Sequence, residues 1–358
     1  MKIMIITDAW APQVNGVVRT LTKTRDQLQT MGHDVMMVTP KGTISVPCPT
    51  YPEIRLSLFP RRKILNAIKA FAPDALHIAT EGPLGLAARR IAIQNHYRFT
   101  TAYHTRFPEY VRSRIRLPLT LTYRFLRWFH APSQATLAPT KTVVDDLKAW
   151  RVGRPVLWPR GVDLDLFRPI DDGVTTPAFS AQLGHSPIFL YVGRVSIEKN
   201  LEAFLSLDLP GEKHVVGGGP ALAAMQTRYP NAVFHGAKAM TDLPAYYHKA
   251  SVFVFPSKTD TFGLVLLEAM ACGVPVAAFP VTGPIDVVGD SGAGVLDTDL
   301  KKACLAALSI DRKHVRAYAK TFSWHAATTI FAQHLTPMHV KNRGLKGANQ
   351  SFIASNQR

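Results

Sequence analysis

Residues 255–275, FPSKTDTFGLVLLEAMACGVP, decide how the rest of this chain is read. Residues 251–255 form a short apolar run that reads as a buried strand, and residues 257–261 form a polar turn. A helix-forming segment then opens near Phe262–Gly263 and stops at Gly273, just ahead of Pro275. Strand, turn and helix in that order make one βα unit of a parallel sheet. The turn leaves Asp260 just outside the helix and sets Glu268 eight positions on, about two turns along it. A carboxylate beside the free N–H groups of a Gly-opened helix suits a ligand that carries both hydroxyls and phosphates.

The same alternation runs outward in both directions. In the first half it predicts strands at residues 3–6, 35–38, 75–78, 99–103, 136–138 and 156–158, with helices at 17–31, 63–70, 84–94, 119–129 and 141–150. In the second half the strands fall at 189–192, 214–216, 232–234, 252–255 and 276–278. Helices follow at 201–207, 221–228, 243–249, 263–271, 301–308 and 312–321. Two α/β series in tandem imply two Rossmann-like domains facing one another across a crevice. The seam falls in residues 167–187, where DDGVTTP breaks the periodicity. The predicted units are therefore residues 1–167, residues 168–322, a helix over 323–340 that returns to the first domain, and a polar, disordered tail over 341–358.

Bulk composition agrees with two folded domains. A chain of 358 residues is long for one core, and 47% apolar against 19% charged residues excludes a disordered protein. No apolar run approaches the ~20 residues of a membrane span, and no signal peptide is visible. Cys48, Cys272 and Cys304 show neither pairing nor metal spacing, which fits a reducing cytosol. The net charge of +17 is one-sided: residues 1–170 hold 25 Lys and Arg against 11 Asp and Glu, residues 171–358 hold 17 against 14. Such a field attracts nucleic acid or an anionic membrane.

Further residues with chemistry sit at strand ends. YVGRVSIEKN, residues 191–200, delivers Arg194 after a strand and Lys199 at the next helix start, a cationic clamp for a pyrophosphate. The first strand ends at Asp8 and runs through APQVNGVV into a helix at Gly16, where a glycine lets a phosphate approach the backbone. His104 follows the strand at 99–103, where α/β sheets bind ligands. Asp8 and Glu81 are acceptor candidates, Glu81 being equally suited to capping its own loop. Gly217–Gly219 ahead of Pro220 reads as a tight turn at the crevice. Asp163-x-Asp165 has the spacing of a metal motif but lies near the interdomain crossing. No HExxH, Gly-x-Ser-x-Gly or Gly-x-Gly-x-x-Gly pattern occurs where its chemistry would need it, so zinc hydrolysis, a serine nucleophile and a nicotinamide cofactor are excluded.

Together, TDAWAPQVNGVVRTL, TEGPLGLAAR, YHTRFPEY, YVGRVSIEKN and KTDTFGLVLLEA resemble the retaining GT-B glycosyltransferases of the glycogen-synthase-like (group 1) superfamily. Within it they look most like bacterial lipid glycosyltransferases, acting on diacylglycerol or phosphoinositides. The resemblance covers residues 1–337. It implies a GT-B fold, a nucleotide-sugar donor, and no cofactor or metal. It further implies that Arg194 and Lys199 neutralise the diphosphate, that Asp260 contacts the donor sugar where Glu is usual, and that Glu268 contacts the ribose. His104 would line the sugar; Gly16, Phe262, Gly263 and Leu264 would complete the donor loop, and Gly236 to Lys238 would frame the base. Asn15 stands where many members carry a further Gly.

The basic half also interleaves its cations with apolar side chains. Phe59, Arg61, Arg62 and Lys63 form one such cluster; Arg112, Arg114, Arg116 and Trp128 form another. This pattern fits peripheral docking on an anionic bilayer, at the cytoplasmic face of the membrane, and no nucleic-acid module accompanies it. The expected activity is hexosyl transfer (glucosyl, glucuronosyl or mannosyl) to a membrane lipid, diacylglycerol first. The rival classes are a nucleotide-sugar epimerase of the same fold, a transferase with a soluble or polysaccharide acceptor, and a non-catalytic nucleic-acid binder.

Overall fold

The structure, a computed structural model, describes residues 1–13, 15–48, 51–109, 112, 117–169 and 186–339. The predicted tail at 341–358, most of the predicted seam, and Arg114 and Arg116 lie outside the described residues.

The first series runs β1 (Lys2–Ile6), α1 (Gly16–Thr30), β2 (Asp34–Val38), β3 (Ser45–Cys48), β4 (Tyr51–Ser57), α2 (Arg61–Phe71), β5 (Ala75–Ile78) and α3 (Pro83–Gln94). It continues through β6 (Thr100–Ala102), α4 (Leu119–His130), β7 (Thr136–Ala138), α5 (Lys141–Ala149) and β8 (Pro155–Leu157). The second runs β9 (Ile188–Val192), α6 (Leu201–Leu205), β10 (Glu212–Val216), α7 (Leu222–Arg228), β11 (Val233–Phe234), α8 (Leu243–Lys249) and β12 (Val252–Phe255). It ends with α9 (Leu264–Ala271), β13 (Val276–Ala278), α10 (Pro284–Val287), β14 (Gly294–Leu296), α11 (Leu300–Ala307), α12 (Arg312–Ala319) and α13 (Trp324–His334).

Each series builds a six-stranded parallel sheet. The orders are β2-β1-β5-β6-β7-β8 and β11-β10-β9-β12-β13-β14, so the strand order reverses between β1 and β5 and between β9 and β12. Both reversal points open a crevice at the strand carboxyl ends. The central strands are buried on both faces, and most of their positions are apolar. In β1, Ile3 and Ile5 enter a core with Leu21, Leu28 and Trp158, while Met4 and Ile6 enter another with Ile64, Leu84 and Ile91. In β9, Phe189 and Tyr191 face one core of the second sheet, and Leu190 and Val192 face the other.

The last helix rejoins the first core: Phe331 of α13 is fully buried with Ile3 and Ile5. The chain crosses between the sheets twice, side by side. Val162 N donates to Phe322 O at 3.1 Å, Val162 pairs with Ser323 as a parallel bridge, and a Cβ on Gly161 would lie 2.2 Å from Trp324 N. Three elements were not anticipated. The antiparallel β3–β4 hairpin falls in a stretch to which no strand was assigned, where Pro47 and Pro52 obscure any alternation. The three-residue β14 and four-residue α10 are too short to show a period.

Candidate active site

The second domain supplies most of the site from three neighbouring strand ends. After β12 the chain turns through Asp260 and Thr261 to Gly263, which starts α9 at φ +85° with no side chain capping the helix. That left-handed conformation favours glycine, and a Cβ there would approach Leu266 Cδ1 to 3.0 Å and Phe255 Cζ to 3.2 Å. Asp260 Oδ1 accepts from Lys199 Nζ at 2.5 Å, whereas Oδ2 is buried with no donor among the described residues. Lys199 is held there by its neighbour: Asn200 adopts φ +55° and its Nδ2 donates to Pro256 O at 3.1 Å, tying the two loops together. Arg194 is half-buried, its carbonyl accepting from the Tyr191 hydroxyl at 2.8 Å. Close backbone packing fixes the turn after β10, since a Cβ on Gly217 would fall 1.7 Å from Gly193 O. Gly236 O accepts from Gly217 N at 2.9 Å, and Lys238 lies 5.9 Å from the Tyr246 ring centroid.

Glu268 is buried, 2% exposed. Its Oε2 accepts from the Tyr247 hydroxyl at 3.1 Å and its Oε1 from Arg19 of the opposite domain. Burial first, and then the Glu268 charge, raises the Tyr247 phenol well above its ordinary pKa, so it remains a donor. Arg19, Val18, Leu264, Glu268, Met240 and Trp324 line a cavity of about 130 Å³ between the domains.

The first domain meets this site with α1, β6 and the crossing segment. A Cβ on Gly16 would lie 3.7 Å from Leu264 Cδ1, so the starts of α1 and α9 face each other. Asn15 Oδ1 accepts from Val17 N and Val18 N, each at 3.0 Å. Two N–H groups of the loop expected to meet a phosphate are thus already engaged. His104 is half-buried with its Nε2 shielded; its carbonyl accepts from Thr261 Oγ1 at 2.7 Å, and its ring stands edge-on to Trp158 with centroids 5.7 Å apart. Burial, then Arg160, then His77 push its pKa well below the usual histidine value, so the ring is neutral. Glu81 Oε1 lies 3.3 Å from His130 Nε2.

Some predicted residues are committed elsewhere. Asp8 accepts from Leu84 N at 2.9 Å, Gly85 N at 3.3 Å and Thr80 Oγ1 at 2.9 Å, capping α3; burial raises its pKa despite these bonds. That is a structural task, not an exposed acceptor contact. Lys63 Nζ donates to the carbonyls of Thr39 and Lys41 and so turns away from any surface patch. Asp163 binds Lys23 Nζ at 2.7 Å and accepts from Leu166 N, stapling α1 to the crossing. Around Lys63, Phe59 is 88% exposed, Arg62 is exposed and Arg61 reaches Gln94 at 2.8 Å. Arg112 is exposed, and Trp128 is half-exposed under the Arg89 guanidinium at 3.8 Å. Arg19, Tyr247 and Arg160 were not foreseen. Helical spacing from Gly16 would have placed Arg19 and Lys23 on one face of α1; the other two carry no local signal.

Comparison with known proteins identifies the family and the fold. Residues 14–166 match the profile described as Glycosyltransferase Family 4, and residues 186–309 that of Glycosyl transferases group 1. The chain is 31% identical to a GDP-mannose-dependent alpha-mannosyltransferase of Mycolicibacterium smegmatis over 83% of this chain and 84% of that one. It is 28% identical to an alpha-monoglucosyldiacylglycerol synthase of Streptococcus pneumoniae, over 86% and 78%. Among solved structures, a sucrose-phosphate synthase of Thermosynechococcus elongatus superposes with a TM-score of 0.74 at 24% identity, over 93% and 97% of the chains. The two facing parallel-sheet domains are a GT-B fold.

Proposed function

We propose that this chain, which belongs to the family 4 and group 1 glycosyltransferases, moves a hexosyl unit from a nucleotide-sugar to a hydroxyl of a membrane lipid. The observation that carries the reading is the convergence on one crevice of Arg194, the Lys199–Asp260 pair, the uncapped start of α9 and buried Glu268, opposite His104. Arg194 and Lys199, with the α9 N–H groups, hold the diphosphate; stabilising its charge as the glycosidic bond breaks supplies the main catalytic effect without a metal. Glu268 accepts from the ribose hydroxyls beside Arg19 and Tyr247. Asp260 Oδ2, open and buried, takes a sugar hydroxyl. No carboxylate is placed as a covalent nucleophile, so the acceptor hydroxyl attacks from the face the diphosphate leaves, its proton passing to a departing phosphate oxygen. The anomeric configuration is retained.

Diacylglycerol is the expected acceptor. Support comes from the diacylglycerol-directed name of one relative and from a basic first domain that exposes Phe59 and Trp128 beside Arg61, Arg62 and Arg112. These residues suit reversible docking on an anionic leaflet, at about 1 kcal/mol per basic residue. Incubating the purified protein with UDP- and GDP-hexoses and a lipid extract, followed by mass spectrometry, tests the assignment. One donor should yield a monohexosyl lipid, and turnover should survive excess chelator. Neutralising Arg61 and Arg62 together should weaken binding to anionic vesicles and leave donor affinity unchanged. Donor turnover without a glycosylated lipid, or strict dependence on manganese or magnesium, would overturn the corresponding half of the proposal.

A further inference from the structure

Arg160 is 4% exposed, yet no carboxylate among the described residues reaches it. Nη1 donates to the carbonyls of Trp158 at 2.5 Å and Pro159 at 3.2 Å, and the guanidinium lies 4.1 Å from the Trp158 ring centroid. Nη2 points at His104 and lies 3.4 Å from its Nδ1. A cation buried without a counter-ion is costly, which asks what it does there.

The chemistry of the contact answers. A guanidinium has five N–H donors and no acceptor, so its hydrogen bond to His104 exists only if Nδ1 offers a lone pair. A neutral imidazole that accepts at Nδ1 carries its proton on Nε2. Nε2 of His104 is buried and meets no partner among the described residues. The ring therefore has one hydrogen bond to give and no protein group to receive it.

We infer that Arg160 is the positioning residue of His104, fixing its Nε2–H tautomer so that the imidazole donates to an oxygen of the bound donor sugar. The inference rests on the reading of the crevice as a donor site. The groups facing the ring are consistent with it. Arg160 comes from the crossing, Trp158 from the end of β8 and His77 from β5, itself neutral with its pKa pushed by burial to about 3. Thr261 comes from the loop before α9 and touches His104 only at its carbonyl. Nothing on that list accepts from Nε2.

Long-range proton–nitrogen correlation on the full-length protein labelled at histidine, assigned with His104→Gln, reads the tautomer without any ligand. Wild type should show Nε2–H at His104. Arg160→Met should admit the Nδ1–H form, and Arg160→Lys, still a pure donor, should restore Nε2–H. In turnover, Arg160→Met should lower kcat on the order of 10–100-fold, the loss expected for one misdirected donor in the transition state. The donor KM should move less than about threefold, and Arg160→Lys should recover most of kcat. The acid limb of kcat should move to higher pH in Arg160→Met, because losing the neighbouring charge lets the ring bind a proton more readily. Nδ1–H in the wild type, or an unchanged tautomer and kcat in Arg160→Met, would overturn the inference. A wild-type protein that turns over no nucleotide-sugar would refute the donor-site reading instead, while the tautomer still decides the role of Arg160.

Discussion

Two helices begin within van der Waals reach of each other in the crevice, and they begin differently. The start of α1 is closed by Asn15, whose side chain takes the N–H groups of Val17 and Val18. The start of α9 is bare, opened by Gly263 in a left-handed conformation. An uncapped helix N-terminus presents both donors and partial positive charge, whereas a capped one has spent them. On the proposed reading, the difference assigns the phosphates to the second domain. The second domain offers backbone N–H groups, Arg194 and Lys199; the first offers a guanidinium, Arg19, to the Glu268 carboxylate.

The strongest way to break this asymmetry is to remove a contact proposed to hold the donor. Glu268→Ala or Arg194→Ala should cost roughly 2–4 kcal/mol of transition-state stabilisation, lowering kcat/KM by about 30- to 1,000-fold. Arg194→Ala should leave the circular-dichroism melt little changed, whereas Glu268→Ala should also lower it by stripping Arg19 and Tyr247 of their acceptor. Near-normal turnover in a folded variant would remove the assignment. A matched pair of glycine changes sharpens it. Gly263→Ala should destabilise the protein by about 1–2 kcal/mol, through the left-handed backbone and the contacts its methyl would make, and should weaken donor binding with it. Gly16→Ala should stay within about 0.5 kcal/mol, because its φ is ordinary and its Cβ would only touch Leu264. Denaturant titration of both decides. The smallest effects belong to Asn15. Asn15→Ala should cost about 1 kcal/mol as a lost cap and Asn15→Gly only a few tenths, with donor affinity unchanged in both. Markedly altered donor affinity in Asn15→Gly would mean that α1 also serves the phosphates.

The α/β architecture was legible because strands covered on both faces are mostly apolar: β12 is apolar throughout and β1 from Ile3 on. The helices between them show the 3.6-residue period. The βα unit around Asp260 and Glu268 was legible for the same reason. Partnerships were not. Arg19 meets Glu268 across 249 positions and Arg160 meets His104 across 56, contacts that no local pattern encodes. Asp8 read as a strand-end acid, yet it is consumed 76 residues away at the start of α3. Lys63 was read with the membrane-docking cluster, and only the fold turns its ammonium onto backbone carbonyls.

The paired crossing carries a mechanical consequence. Two covalent strands pass between the domains in contact, locked by the Val162–Phe322 hydrogen bond and by the absence of a side chain at Gly161. A single tether would permit swivel, twist and slide; two plies fastened edge to edge resist torsion and shear and leave bending about one line. Any opening that admits substrate would then follow one arc, so the partners meeting across the crevice, Arg19 with Glu268 and the His104 carbonyl with Thr261, would return to register when the crevice closes.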